Sequence, residues 1–116
     1  MEAELKNHDG RAVCERCVIA DAPLARMKGL LGKKELGRGE GILLRPAASV
    51  HTWFMRFPID VVFLDRELRV LRVVPALAPW KATGSRGAVA VLELAAGECA
   101  RRGVAPGDRL VLPQNA

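Results

Sequence analysis

The sequence predicts a mainly β (or α+β) domain, folded as a compact β-sandwich or barrel with one or two short helices. Short apolar runs recur along the chain and are separated by residues that favour turns, a pattern typical of antiparallel sheet proteins. A chain of 116 residues is long enough for one hydrophobic core. We therefore expect a single β-rich domain over residues 11–116, preceded by a disordered or edge tail over residues 1–10.

Composition and charge narrow the class of protein. The chain is 50% hydrophobic and 27% charged, as in ordinary globular proteins, and no apolar run approaches the roughly 18 residues of a membrane span. Residues 1–10 carry three acidic groups and no apolar run, unlike a signal peptide. We expect a soluble cytoplasmic protein without a membrane partner, a monomer or weak dimer, with its three Cys reduced.

The first part of the chain predicts a strand, a helix and a second strand. Alternation predicts a strand over residues 11–20, with two apolar sets on opposite faces: Val13, Cys17 and Ile19 on one, Cys14 and Val18 on the other. Asp21 is a suitable N-cap for a helix with Pro23 in its first turn, and Gly32 ends that helix. The helix has an apolar stripe: Leu24, Met27, Leu30 and Leu31. After a polar loop, residues 41–44 predict a short buried strand.

The most apolar stretch, residues 51–74, contains all three Phe and one of the two Trp. Residues 51–56 alternate without a polar face, so both faces of this segment should be covered. Pro58 lacks an N–H group and predicts a bulge, an edge or a break. A central strand over residues 59–64 should follow and turn back through a hairpin into a strand over residues 69–74.

The remaining residues predict two strands on either side of one helix. A loop that carries Trp80 and a glycine-bearing connection lead into a strand over residues 88–94. Residues 96–102 predict a short helix that Gly103 ends. A Pro-Gly turn then leads into a last strand over residues 109–112.

The cysteines raise a metal or redox hypothesis. Cys14 and Cys17 have the spacing of half a zinc site or of a redox dithiol, but residues three apart on a regular strand face opposite sides. A full ligand set would need Cys99 and His51 from distant segments. We therefore expect buried structural thiols, no metal site and no cofactor.

Two acids within apolar strands are the first candidates for function. Asp60 and Glu93 lie in segments that should be buried, and a charge in a core must be paired or hydrogen-bonded. We expect Arg56 or Arg86, or backbone N–H groups, to neutralise these acids. The alternative is a small hydrolase or transferase in which Asp60 and Glu93 serve as acid and base together with His51.

Both Trp are candidates for ligand contact. Trp53 and Trp80 could stack on a sugar or a base, although the apolar surroundings of Trp53 favour a place in the core. Together with the polar residues discussed above, they complete the set of candidate binding residues: His51, Trp53, Arg56, Asp60, Trp80, Arg86 and Glu93.

The net charge of +5 raises the question of an anionic partner. Lys and Arg are spread along the chain among acids, and the densest group is modest: Arg26, Lys28, Lys33 and Lys34. A solvated basic surface accounts for this pattern. The sequence therefore does not favour nucleic acid as a partner, and we expect a small ligand or a protein instead.

Five motifs carry a family resemblance: Met27–Gly32, Gly39–Gly41, Ser49–Asp65, Val91–Leu94 and Pro106–Asp108. In this order they resemble the prokaryotic family called domain of unknown function 192, from about Ala12 to Leu112. The resemblance implies a compact, mainly β domain without an established activity, and many relatives carry an export signal. Two positions depart from the family pattern: Ala47, where relatives often have Cys, and Leu68 in the hairpin turn, where they often have Gly. The second departure suggests a local change of turn type.

Three functional classes follow. The first is a non-catalytic binding or accessory module with a pocket near the segment HTWFMRFPID, from His51 to Asp60. The second is the hydrolase or transferase described above, and the third is a basic adaptor for nucleic acid or protein. We prefer the first class, because no Ser lies in a nucleophile elbow and no loop has a complete phosphate-binding pattern.

Overall fold

A computed structural model describes residues 1–21 and 35–113 of the chain. Within these ranges the strands are β1 (Glu2–Asn7), β2 (Ala12–Ala20), β3 (Glu40–Leu44), β4 (Ser49–His51), β5 (Ile59–Leu64), β6 (Val70–Leu77), β7 (Ala82–Gly84), β8 (Ala90–Ala95) and β9 (Leu110–Val111), and the helix is α1 (Glu98–Arg102). The predicted mainly β fold is confirmed. No helix in the part of the chain described here is long and apolar enough to cross a membrane.

Seven strands form one curled sheet in the order β6-β5-β8-β3-β2-β1-β9, and β4 and β7 form a separate two-stranded ribbon. Neighbouring strands are antiparallel except for β2 and β3. The two edges of the sheet meet at one end, where Arg69 pairs with Arg109 and the N–H of Leu110 donates to the carbonyl oxygen of Leu68 at 2.9 Å. The sheet is therefore a half-barrel that closes at a single point.

The half-barrel has its main core on the inner face. Buried side chains from all seven strands and from α1 fill it, the largest of which include Leu5, Leu43, Leu64, Leu92 and Leu110. A second core covers the outer face of β3, β5 and β8, with buried members that include Ile42, Ile59, Val61, Phe63 and Val91. Met55 and the half-buried Val50 pack on this second core. The β4–β7 ribbon thus lies on the outside of the half-barrel.

The central and C-terminal elements agree with the sequence analysis. The strand over residues 59–64 begins directly after Pro58 and is buried at every position, which explains the apolar run over residues 61–64. The hairpin into β6, the short helix ended by Gly103 and the last strand are also confirmed. The predicted helix after Asp21, with Pro23, Gly32 and the stripe between them, lies outside the described residues.

Residues 1–10 differ from the expected disordered or edge tail. Strand β1 lies between β2 and β9, and its Leu5 is fully buried in the main core. Asn7 closes the β1–β2 hairpin, because its Oδ1 accepts the N–H groups of Asp9 and Arg11 at 2.9 Å each. The expectation of a tail is wrong because Leu5 alone gives too weak a local pattern, while pairing with the distant β9 places the strand inside the sheet.

Strand β2 contains a bulge that the alternation pattern did not predict. Cys14 lies opposite Leu5 but Cys17 lies opposite Ala3, so β2 has one residue more than β1 over this interval. The extra residue turns both thiols toward the main core, which also contains Cys99. The expected opposite orientation of Cys14 and Cys17 is wrong, whereas the expected burial of the thiols is confirmed.

An ion-pair cluster attaches α1 to β2. Arg102 pairs with Glu15 of β2 at 2.6 Å and with Glu98 at 3.0 Å, and it donates to the carbonyl oxygen of Ala12 at 3.0 Å. Arg101 also pairs with Glu98, at 2.7 Å. Hydrogen bonds from Arg101 and Arg102 lower the pKa of Glu98 to about 2. The helix is therefore held by charge as well as by Cys99 in the core.

Candidate functional site

Two surface turns carry four side chains that we call the aromatic patch: His51, Trp53, Phe54 and Trp80. The rings of His51 and Trp53 are stacked, with centroids 4.5 Å apart and 26° between their planes. The rings of Phe54 and Trp80 have centroids 4.7 Å apart and planes inclined by 59°. Trp53 is 48% exposed, Phe54 68% and Trp80 60%. The expected core position of Trp53 is therefore wrong, because the strand ends at His51 and the chain turns outward.

Thr52 joins the two turns that carry the patch. This residue is fully buried. Its backbone N–H donates to the carbonyl oxygen of Lys81 at 2.7 Å. Its own carbonyl oxygen accepts the backbone N–H groups of Trp80 at 2.9 Å and of Met55 at 3.1 Å. Its hydroxyl donates to the carbonyl oxygen of Ala78 at 2.6 Å and accepts the N–H of Lys81 at 2.9 Å. A single buried side chain thus fixes the relative position of both aromatic turns.

The β4–β7 ribbon supports the patch from one side. Ser49 pairs with Gly84, and His51 pairs with Ala82. A depression of about 400 Å³ lies along the ribbon, lined by Ser49, Val50, His51, Trp53, Ala82 and Thr83. The stacked His51 and Trp53 rings therefore border a concave surface.

Two residues of the patch have a strained backbone conformation. Phe54 has φ 67° and Trp80 has φ 65°, in the left-handed region that bulky residues rarely occupy. Such a conformation costs on the order of 1–3 kcal/mol per residue and persists only where surrounding contacts impose it. The hydrogen bonds of Thr52 are such contacts, and they hold two aromatic side chains at the surface rather than in the core.

Asp60 is a structural acid on the inner side of the sheet. Its side chain is 1% exposed, and its Oδ1 accepts the N–H of Ala76 at 2.9 Å. Its Oδ2 accepts the N–H groups of Gly97 at 3.1 Å and Cys99 at 2.9 Å, at the beginning of α1. Backbone N–H groups thus supply the hydrogen bonds that the buried Asp60 needs, which confirms one of the two alternatives expected for this residue. Arg56 is exposed and takes no part in this arrangement.

Glu93 is a buried acid without such partners. It is 4% exposed and lies on β8 between Val61 of β5 and Ile42 of β3. In the structure described for residues 1–21 and 35–113, the carboxylate of Glu93 forms no hydrogen bond or ion pair. The expected ion pair with Arg56 or Arg86 is therefore not formed. Burial raises the pKa of Glu93 to about 7.

The two acids lie on opposite faces of the sheet. Asp60 pairs with Leu94, and Glu93 pairs with Val61; paired residues of antiparallel strands share a face, whereas successive residues of one strand alternate. His51 is exposed on the ribbon. The three residues of the hydrolase or transferase hypothesis therefore do not converge on one ligand.

The thiols are buried and do not form a metal site with His51. The hydrogen bond with Cys14 and burial raise the pKa of the Cys17 thiol well above its usual range, and burial followed by the charge of Asp60 raises the pKa of Cys99 to about 12. Among the residues whose positions are described, no three His, Cys, Asp or Glu side chains come together as metal ligands. The pKa of the Cys14 thiol is lowered instead, chiefly by its hydrogen bond with Cys17, but this thiol is also buried.

Comparison with known proteins places the chain in a family. The model of domain of unknown function 192 (DUF192), described as an uncharacterized ACR, matches residues 4–112. The chain belongs to this family. A UPF0127 protein of Pyrococcus horikoshii is 42% identical to the DUF192 domain over 66 residues, which are 54% of this chain and 56% of the relative. The match thus spans little more than half of that curated relative.

Two crystal structures resemble the DUF192 domain over most of its length. A protein of unknown function from Novosphingobium aromaticivorans has a TM-score of 0.81 and 27% identity, covering 96% of this chain and 84% of that one. A putative transcription regulator from Sinorhizobium meliloti has a TM-score of 0.83 and 25% identity, covering 96% and 92%. These comparisons support the fold and assign no activity to it.

The DUF192 domain brings together only part of the predicted site. His51 stacks on Trp53, and Trp80 contacts Phe54, while Asp60 and Glu93 lie elsewhere. Phe54, which follows Trp53 directly in the sequence, was not among the predicted site residues. Its adjacency to Trp53 was the available signal.

The family departure at Leu68 also has a structural outcome. Leu68 lies in the β5–β6 hairpin turn with φ 62°, a conformation that favours Gly. Leu68 therefore holds a strained backbone at a position whose conformation suits Gly.

Proposed function

We propose that this DUF192 domain is a non-catalytic binding module whose ligand places flat ring faces against the aromatic patch. The observation that carries the proposal is the exposure of Trp53, Phe54 and Trp80, each about half or more accessible to solvent. Trp and Phe are the side chains that contribute most apolar area at binding interfaces. Their rings accept a planar partner by stacking.

The aromatic rings of the patch do not belong to either hydrophobic core. Both cores lie away from the patch, and two of the four residues hold left-handed backbone conformations that cost stability. Strain of this kind is concentrated at functional sites in proteins generally. Thr52, which imposes the conformation, has its hydroxyl fully engaged in the turn and is a positioning residue rather than a ligand contact.

The arrangement of acids and thiols argues against the catalytic alternative. Asp60 is satisfied by three backbone N–H groups, Glu93 lies on the opposite face, and the three thiols are buried. The adaptor hypothesis remains compatible with the patch. The relative from Sinorhizobium meliloti is described as a putative transcription regulator, and nucleobases are among the rings that such a patch would stack.

Intrinsic fluorescence tests the proposal directly, because the chain has two Trp and both lie in the patch. We expect nucleotides or oligosaccharides, titrated as separate series, to give a saturable change in emission in at least one series. Phe54→Ala keeps both reporters and should weaken that binding roughly tenfold, the effect of losing one stacking surface. Val111→Ala, an exposed apolar residue outside the patch, is the matched control. The proposal fails if no ring compound alters the emission, or if both variants weaken binding equally.

A further inference from the structure

The segments that build the patch have an unusual polar composition. Residues 45–59 and 75–90 contain no Asp, Glu, Asn or Gln, although both segments contain cations: Arg45 and Arg56 in the first, Lys81 and Arg86 in the second. Arg45 is paired with Asp21 at 2.7 Å. Arg56, Lys81 and Arg86 are exposed and form no ion pair in the described parts of the chain. All the charged side chains of these two segments are therefore cations.

The fold joins these two segments, which are distant in sequence. Thr52 binds Lys81, next to Trp80, so this cation lies at the aromatic end of the ribbon. Arg56 follows the exposed Phe54 by two residues, and Arg86 lies beyond the other end of the ribbon. Arg72 of β6 adds a fourth cation, because its Nη1 donates to the carbonyl oxygen of Gly84 in β7 at 2.6 Å. Lys81 and Arg72 thus lie beside the ribbon, and the two segments contribute no acid to it.

This chemistry favours an anion with ring faces over a neutral sugar. Sugar hydroxyls both donate and accept hydrogen bonds, and the side chains that match them best are carboxylates and carboxamides, which both segments lack. The hydroxyl of Thr52 is engaged within the turn. Lys and Arg only donate, and they pair well with phosphate groups. Aromatic rings flanked by donors and positive charge are the arrangement by which proteins hold bases and phosphates.

The shape of the site favours a polymer over a single nucleotide. Sites for small ligands enclose most of the ligand, whereas Trp53, Phe54 and Trp80 are between 48% and 68% exposed. The rings form two separate pairs, which offer more than one stacking position. An open surface of this kind becomes effective when several bases of one strand bind at once.

We propose, as a specific form of the binding function above, that the aromatic patch and its flanking cations bind single-stranded nucleic acid. Bases stack on the exposed rings, and phosphates approach Lys81, Arg56 and the neighbouring Arg72. The sequence analysis did not favour nucleic acid because the cations are spread along the chain. The pairing of β4 with β7, which gathers them, is visible only in the fold.

The first test compares polymers by Trp fluorescence. The probes are an oligo(dT) of about 20 nucleotides, the matching duplex, polyphosphate and a neutral oligosaccharide. We expect saturable quenching by oligo(dT) that is stronger than that by the duplex or by polyphosphate. If about three phosphates are neutralised, affinity should fall with a logarithmic salt slope near −2, which is roughly 20-fold between about 50 and 200 mM salt.

Variants separate stacking from charge. Phe54→Ala should weaken oligo(dT) binding roughly tenfold without changing the salt slope. Lys81→Ala should reduce the size of that slope by about 0.7. Arg11→Ala, which removes the same charge from the β1–β2 hairpin, should leave affinity and slope unchanged. An equal effect of Arg11→Ala and Lys81→Ala would overturn the inference, because attraction would then depend on net charge alone.

The outcomes distinguish this inference from the proposed function. Equal binding of polyphosphate and oligo(dT), or tighter binding of the duplex, overturns the stacking of bases on the patch. Quenching by the oligosaccharide without quenching by oligo(dT) overturns nucleic acid as the ligand but leaves the ring-binding module in place. If none of the probes alters the Trp emission, the inference fails. The nucleotide and oligosaccharide titrations described under the proposed function then test whether the domain binds ring compounds at all.

Discussion

Replacing Glu93 by Gln should stabilise the protein increasingly as pH rises. Glu93 is buried between Val61 and Ile42, and burial raises its pKa from 4.5 to about 7. One pKa unit corresponds to about 1.4 kcal/mol, so ionising this carboxyl in the folded state costs about 3 kcal/mol of stability. That is a large fraction of the stability of a small domain.

The sign follows from proton binding. Between the unfolded pKa of 4.5 and the folded pKa of about 7, the folded state binds more protons at Glu93 than the unfolded state does. Stability should therefore fall as pH rises through this window. The destabilisation is absent below the unfolded pKa and complete above the folded pKa. Gln cannot ionise, so Glu93→Gln removes this pH dependence.

Urea unfolding followed by far-UV circular dichroism measures the effect, because both Trp lie in the exposed patch. The stability difference between Glu93→Gln and the parent should grow by about 3 kcal/mol between about pH 4.5 and pH 8. Glu67→Gln, at an exposed turn position, controls for the loss of a negative charge. A difference that stays constant with pH, or that favours the parent more at high pH, would refute the assigned burial cost.

Three further substitutions test contacts that hold the fold. Asp60→Ala leaves three N–H groups without an acceptor and should cost about 2–4 kcal/mol, with Asp60→Asn costing less; a melting temperature at or above that of the parent would contradict the structural role. Leu68 has a strained backbone but packs against the main core, so Leu68→Gly and Leu68→Ala both lose this packing and only Gly relieves the strain; Leu68→Gly should therefore be more stable than Leu68→Ala by about 1 kcal/mol, and a lower melt for the Gly variant than for the Ala variant would contradict the strain. Arg102→Met leaves Glu15 and Glu98 without their shared partner and should cost about 3 kcal/mol in urea unfolding, whereas an unchanged midpoint would show that the cluster contributes nothing.

The sequence correctly predicted those elements whose boundaries are determined by residues close to them in the chain. Pro58 marks the beginning of β5 because it lacks an N–H group, and Gly103 ends α1 with φ 70°, a conformation that Gly adopts freely. The apolar run over residues 61–64 predicted a central strand, and β5 lies between β6 and β8 in the sheet. In each of these cases the deciding interaction lies within a few residues of the signal.

Elements that depend on distant partners were predicted less well. Strand β1 belongs to the sheet because β9 pairs with it about a hundred residues later in the chain. The bulge in β2 shows only in its register with β1. Alternation alone does not contain these pairings, so it placed Cys14 and Cys17 on opposite faces and predicted a disordered or edge tail over residues 1–10.

The candidate site follows the same rule. Trp53 and Trp80 were recognised as residue types that contact ligands, but exposure depends on Thr52, whose hydrogen bonds reach Ala78 and Lys81. Asp60 and Glu93 lie on opposite faces because Asp60 pairs with Leu94 and Glu93 pairs with Val61. Predicting this separation required the register of β5 against β8, which sequence alone did not provide.

The pairing of β1 with β9 has a consequence for folding during synthesis. The β1–β2 hairpin emerges first and can form early, but the other edge of β1 has no partner until Leu110 and Val111 have been made. Until then Leu5 lacks one wall of its pocket in the main core, and an unpaired strand edge is a site where chains associate wrongly. The nascent chain can therefore mispair at this edge until the two residues of β9 have been made. Truncation before β9 is expected to cause aggregation and not to give a stable shortened fold.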